Sequence, residues 1–206
     1  MTIRLGALEA GGTKFRAAIV DADHTIVDEV RIPTTVPSET LAAVEGFFAE
    51  HEPVHALGIA SFGPLNVDPS AAAYGSIGPT PKPDWAGTPL VSRLEASLGV
   101  PTALQTDVEA AAGAEYHLGA GQGRPCVGYV TIGTGIGASV AIDGVPFRGR
   151  DHTELGHIPV CRVEGDTYPG RCPFHGDCLE GMACGPAIAD RWRADAVTLG
   201  DRDEVW

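Results

Sequence analysis

Alternating apolar positions open the chain. Ile3-Arg4-Leu5-Gly6-Ala7-Leu8 predicts a buried strand, Gly11-Gly12-Thr13-Lys14 a tight turn, and Phe15 to Val20 its antiparallel partner, with a third strand around Thr25 to Ile32. The rhythm then lengthens. Leu41, Val44, Phe47 and Phe48 recur at helical spacing, so Ser38 to Ala49 is expected to pack one face on a core. His55 to Ala60 is a further buried strand. It runs into Ser61-Phe62-Gly63-Pro64, a turn at the carboxyl end of a strand, where helix-covered sheets gather ligands. Prolines and glycines between Asn66 and Thr88 preclude a helix or central strand, and Tyr74, Ile77 and Trp85 supply apolar anchors for a long ordered loop.

Thr88-Pro89 starts a helix that ends at Gly99, and Thr102 to Thr106 is a short strand. Asp107 stands where a helix N-cap belongs, ahead of the alanine-rich Val108 to Leu118, and its bland reading is a satisfied cap. Gly119 to Pro125 breaks the pattern with three glycines and is the expected hinge between two parts, residues 1–118 and 119–206. Cys126 to Ile132 and Ile136 to Ile142 then form a second hairpin around Thr131-Ile132-Gly133-Thr134-Gly135-Ile136-Gly137.

The design thus occurs twice: strand, Gly/Thr turn, returning strand. Small-residue turns aim backbone N–H groups at anions. Two related lobes, each offering such a turn to phosphates, would explain the repeat. Neither turn is a Walker A sequence, since no Gly-Lys-Ser/Thr opens a helix.

Composition narrows the field. A net charge of -13 argues against a nucleic-acid partner, which requires clustered Lys and Arg. The chain shows no apolar run long enough for a bilayer and no secretory pattern at its start, so no membrane partner is expected and a cytoplasmic location is. Of five cysteines, Cys172, Cys178 and Cys184 are clustered and interleaved with His175, a pattern that reads as metal binding in a reducing compartment.

Leu8-Glu9-Ala10-Gly11-Gly12-Thr13-Lys14, Gly58 to Pro64, Tyr74-Gly75-Ser76-Ile77, Thr80-Pro81-Lys82, Thr131 to Gly137 and Cys172 to Gly181 resemble the ROK family of sugar kinases and sugar-responsive repressors. Glu9 and Thr80-Pro81-Lys82 look like its bacterial fructokinase branch. The resemblance implies an α/β, actin-like and hexokinase-like ATPase fold with two lobes around a cleft, binding of Mg-ATP and a structural zinc, and a homodimer. Family members continue beyond the position where this chain stops, so the second lobe is expected to be incomplete. The expected reaction is phosphorylation of fructose to fructose 6-phosphate; the alternative is a sugar-binding protein or sensor without kinase activity. Repressors of the family carry a DNA-binding segment ahead of the kinase-like part, and with the first strand starting at Ile3 none is expected here.

Phosphoryl transfer needs alignment, charge neutralisation and an acceptor for the hydroxyl proton. Asp107 is the expected general base. Gly11, Gly12, Thr13 and Lys14, and Thr131, Gly133, Thr134, Gly135 and Gly137, are assigned to the phosphates of ATP, with Glu9 on Mg²⁺ and Pro186 opening a helix toward the nucleotide. Gly63, Pro64, Asp107, Glu154, His157 and Glu180 are the expected sugar-binding set, with Asp151 and His152 as lesser contacts. His157, Cys172, His175 and Cys178 offer two nitrogens and two sulfurs, enough to close a tetrahedral structural zinc site. Cys161 competes with His157 as the fourth ligand, and Cys126 and Cys184 read as packed thiols. Family members usually have Asn where this chain has Glu109. Trp192 is expected in the core.

Overall fold

A computed structural model describes residues 3–80, 82–148, 153–194 and 196–199. The chain divides into two compact units, Met1–Ala110 and Ala111–Trp206. The division falls inside a helix rather than after it at Gly119.

The first unit is a five-stranded sheet in the order β3-β2-β1-β4-β5. β1 (Arg4–Ala10), β2 (Lys14–Asp21) and β3 (Ile26–Pro33) form an antiparallel meander, as their alternation and the glycine turn require. β4 (Leu57–Ser61) and β5 (Thr102–Thr106) add in parallel to the other edge of β1. Parallel neighbours need crossovers, and α1 (Pro37–Ala49) and α2 (Leu90–Leu98) provide them. The helices cover one face: Leu8, Phe15, Ile19, Leu57, Ile59 and Leu104 from the strands pack with Leu41, Val44, Leu90 and Leu94 in one buried cluster. α2 ends where Gly99 takes a left-handed φ of 67°, the expected stop. Pro89, expected inside that helix, sits one position before it.

The proline-rich loop is ordered by its apolar residues. Trp85 is fully buried, its ring against Phe15 and Phe62 at centroid distances of 5.2 and 5.7 Å, and its Nε1 donates to the Thr35 carbonyl at 2.8 Å. Ile77 is buried with it.

In the second unit, α3 (Asp107–His117), which starts in the first unit, leads to β6 (Cys126–Ile132), β7 (Ile136–Ile142) and the short β8 (Val145–Pro146), an antiparallel sheet in that order. After a loop come α4 (Leu179–Ala183), α5 (Gly185–Trp192) and α6 (Ala196–Leu199). Its core is small: Ile136, Cys184 and Ala187, with Tyr168, Leu179 and Ala183 packed on them. Two expectations fail here. Cys126 is exposed, because it opens the edge strand β6, and Trp192 is 41% exposed at the end of α5. No helix among the described residues is long and apolar enough to cross a membrane.

Candidate active site and metal centre

In the first unit the register of the parallel strands decides what meets. Ala10 pairs with Ser61, and Ser61 with Thr106, so β1, β4 and β5 end level with one another. The glycine turn, the Phe62-Gly63-Pro64 turn and Asp107 therefore leave the sheet along a single carboxyl edge, the place where such sheets bind ligands. Phe62 N–H donates to the Ala10 carbonyl at 2.9 Å and ties two of the exits together.

The Gly11–Lys14 turn closes through Gly11 N–H on the Lys14 carbonyl at 3.1 Å. A Cβ at Gly11 would lie 2.6 Å from that carbonyl oxygen, so no side chain fits there. Thr34 braces the turn from outside: its Oγ1 donates to the Gly11 carbonyl at 2.8 Å and its N–H to the Thr13 carbonyl at 3.0 Å. Gly12, Thr13 and Lys14 are left facing solvent, as an anion-binding turn needs. Glu9, on the open face of β1, is an exposed carboxylate 3.8 Å from the Arg16 guanidinium, which Glu29 holds at 2.7 Å.

Asp107 is not the helix cap the sequence suggests. Thr106 takes that part: its Oγ1 accepts from Glu109 N–H at 3.2 Å, and the buried Glu109 carboxylate accepts from Thr106 N–H at 3.0 Å. The reciprocal pair is a capping box. It gives Glu109 a defined place and relieves Asp107 of capping. Asp107 is the next residue, its Oδ1 accepting a local bond from Val108 N–H at 2.9 Å. Its side chain reaches solvent, but surrounding protein strips part of its hydration and pushes its pKa above the ordinary aspartate value; the backbone N–H groups of Val108 and Asp107 oppose this, and the charge of Glu9 adds to it.

The second unit builds around the start of β7. The turn before it closes through Gly133 N–H on the Gly135 carbonyl at 2.8 Å. Glu180 Oε2 accepts from Ile136 N–H at 2.9 Å, and a Cβ on Gly135 would come within 2.6 Å of that oxygen. Gly185 N–H, at the first residue of α5 beside Pro186, donates to the Gly133 carbonyl at 2.7 Å. The second glycine turn, Glu180 and the amino end of α5 are thus one assembly. Gly156 presses on the same strand, since a Cβ there would overlap the Ile136 carbonyl. That contact fixes the segment carrying Glu154 and His157. Glu154 adopts a left-handed φ of 43° and opens the 3-10 turn Leu155–His157.

His157, Cys172, His175 and Cys178 converge, their ligand atoms all within 4.8 Å of one another. Cys172 Sγ lies 3.5 Å from His157 Nδ1 and 3.7 Å from His175 Nδ1, and Cys178 Sγ 3.6 Å from His157 Nδ1. A tetrahedral zinc with ordinary Zn–S and Zn–N bonds separates its sulfur and nitrogen ligands by about 3.6 Å, so the donor set and spacing both fit that ion. Burial pushes the Cys178 thiol up, with Cys172 adding to it, so two thiolates there would need a cation. His157 Nε2 lies outside this group, 3.9 Å from Glu154 Oε2. Cys161 is exposed and outside the group. Asp151 and His152 lie outside the described residues.

Sequence reasoning missed the roles of four residues. Thr106-x-x-Glu109 is a readable capping signature that the more prominent Asp107 obscured. Thr34 carries no local signal, and Lys82, although part of the Thr80-Pro81-Lys82 motif, gives no local sign of its contact with the turn: its Nζ donates to the Gly12 carbonyl across seventy residues.

The ROK family pattern matches residues 5–203. The chain belongs to the ROK family. A putative fructokinase of Bacillus subtilis (strain 168) is 43% identical over 202 residues, which are 98% of this chain and 67% of the relative. A fructokinase of Pediococcus pentosaceus is 44% identical over 202 residues, covering 98% and 70%. The crystal structure of a ROK family glucokinase from Streptomyces griseus in complex with glucose and AMPPNP superposes with a TM-score of 0.72 at 30% identity, covering 91% of this chain and 59% of that one. This ROK chain is of the fructokinase type and shares the fold of the family's hexokinases and glucokinases, spanning about two thirds of the length of its curated relatives.

Proposed function

We propose that the protein transfers the γ-phosphoryl group of ATP to the 6-hydroxyl of fructose. The observation that carries this reading is the level ending of β1, β4 and β5, which sets an anion-receptive glycine turn and the carboxylate of Asp107 on one sheet edge. Fructokinase relatives that match nearly the whole chain support it from a separate direction.

In this reading the hydroxyl oxygen forms a bond to the γ-phosphorus as the bond from that phosphorus to the β-γ bridging oxygen breaks. ADP leaves, and the hydroxyl proton passes to Asp107. The transition state is mostly a matter of alignment and charge. Gly11, Gly12, Thr13 and Lys14 supply N–H groups and a cation to the phosphates, as do Thr131, Gly133, Thr134, Gly135 and Gly137, with Gly185-Pro186 adding a helix amino terminus. Gly63 and Pro64 shape the sugar site, and Glu154, His157 and Glu180 accept or donate hydrogen bonds to its hydroxyls. Magnesium would neutralise the β- and γ-phosphates, and the exposed Glu9 would hold it through water. Zinc on His157, Cys172, His175 and Cys178 would be structural, fixing the Glu154 and Glu180 segments relative to each other without entering the reaction.

The test is coupled ADP release with fructose, glucose and mannose, run on this chain and on the chain joined to the remaining third of the Bacillus subtilis relative. Fructose-dependent ADP is expected. Its absence from both would overturn the kinase reading, and sugar binding without turnover would favour a sugar-binding protein.

A further inference from the structure

We propose that Lys82 is a phosphoryl-binding residue of this reaction, its ammonium placed at the glycine turn to contact the phosphoryl group during transfer and in the sugar phosphate product. The inference rests on the kinase reading above and adds a residue to it.

The ammonium sits on the outermost carbonyl of the turn, that of Gly12. That carbonyl engages one of its three donors. Among the described residues no carboxylate pairs with it, whereas Arg4, Arg16, Arg93, Arg162, Arg171 and Arg191 each reach one. In a chain of net charge -13, a cation left without an anion beside an anion-binding turn is available to a ligand.

Delivery of Lys82 is fixed on both sides. Gly78 N–H donates to the Pro64 carbonyl at 2.7 Å, and three residues past Lys82 the fully buried Trp85 anchors the loop between Phe15 and Phe62. The four-carbon stem of Lys82 lets the charge follow the moving group.

The chemistry suits a lysine. The three non-bridging oxygens keep their negative charge as the phosphoryl group passes from ADP to the sugar, and a compact ammonium with rotating donors can stay in contact over that path. Lys14, at the start of β2, directs its side chain to the open face shared with Arg16, so the two lysines approach the turn from different elements.

Three variants decide the matter: Lys82→Met, Lys82→Gln and Lys82→Arg, with fructose and fructose 6-phosphate affinities measured by calorimetry beside kcat. Loss of a charge-assisted contact predicts that Lys82→Met and Lys82→Gln weaken fructose 6-phosphate binding by about tenfold or more, leave fructose binding within about twofold and lower kcat by a comparable factor. Lys82→Arg should restore most of both. If Lys82 merely braces the turn, Lys82→Gln, which can still donate to the Gly12 carbonyl, would behave as the parent, and that result overturns the proposal. Unchanged sugar phosphate binding in Lys82→Met overturns it as well. Absence of fructose-dependent ADP release from both the parent and the chain joined to the remaining third of the Bacillus subtilis relative would instead defeat the kinase reading itself.

Discussion

Asp107, the proposed base, is held in a state that works against stability. Crowding raises its pKa, so the folded protein binds that proton more tightly than the unfolded chain does. The sign follows: ionising Asp107 costs stability, a cost absent below the ordinary aspartate pKa and complete once pH has risen through the folded value. A base must be ionised to accept the hydroxyl proton, so kcat/KM should fall as pH drops through that same raised pKa, on a limb lying above the usual aspartate range. Asp107→Asn, which imitates the protonated form, should lower kcat by about a hundredfold or more while slightly raising the urea midpoint at neutral pH. A variant that loses activity and stability together would mean the carboxylate is structural.

The start of α3 shows how one element aims one residue. Thr106 and Glu109 close the helix end by satisfying each other's N–H groups, and Asp107 is carried between them. Glu109→Ala would strand the Thr106 N–H in a buried place, costing about 1 to 2 kcal/mol, whereas Glu109→Gln keeps an accepting oxygen at the same reach and should cost well under that. kcat should follow the same order, read beside the urea midpoint; a Gln variant as impaired as Ala would show that charge, rather than the accepted bond, holds the helix end. Such local features were within reach of the sequence. The hairpins, the helix stop at Gly99 and the loop anchors all follow from patterns spanning a few residues, and so does Thr106-x-x-Glu109 once Asp107 is not taken for the cap. The level ending of three strands, the Thr34 brace and the Lys82 contact depend on sheet register between distant segments, which no local pattern encodes. Cys126 and Trp192 were misplaced for a related reason: apolar character says a side chain gains from burial, and only the position of its element says whether burial is available.

The two units differ in how they can be stable, and that difference sets the work that a metal bound to the four-ligand cluster would do. The first buries large side chains in quantity, Phe15, Ile19, Leu41, Leu57, Trp85, Leu90 and Leu94 among them. The second, among its described residues, fully buries little beyond Ile136, Leu199, alanines and cysteines, and leaves Val130, Ile132, Val145 and Phe147 exposed on or beside its small sheet. A core of that size needs a staple. The four-ligand cluster is in the right place to be one, because the loop bearing it is tied to α5 by Arg171 to Asp190, Arg191 to Asp166 at 2.9 Å and Tyr168 to Asp190 at 3.2 Å. Zinc would couple this loop, the Gly156 contact on β7 and the Glu180 bond to Ile136 into one body. Metal analysis should return about one zinc per chain, as the one four-ligand set found among the described residues implies. Chelation should then raise amide hydrogen exchange across β7, α4 and α5 while the strands of the first unit keep their protection, and Cys178→Ala should reproduce that pattern without chelator. Retained zinc in Cys178→Ala would disprove the ligand set, and equal loss of protection in both units would show that the metal's influence is not confined to the poorly filled half.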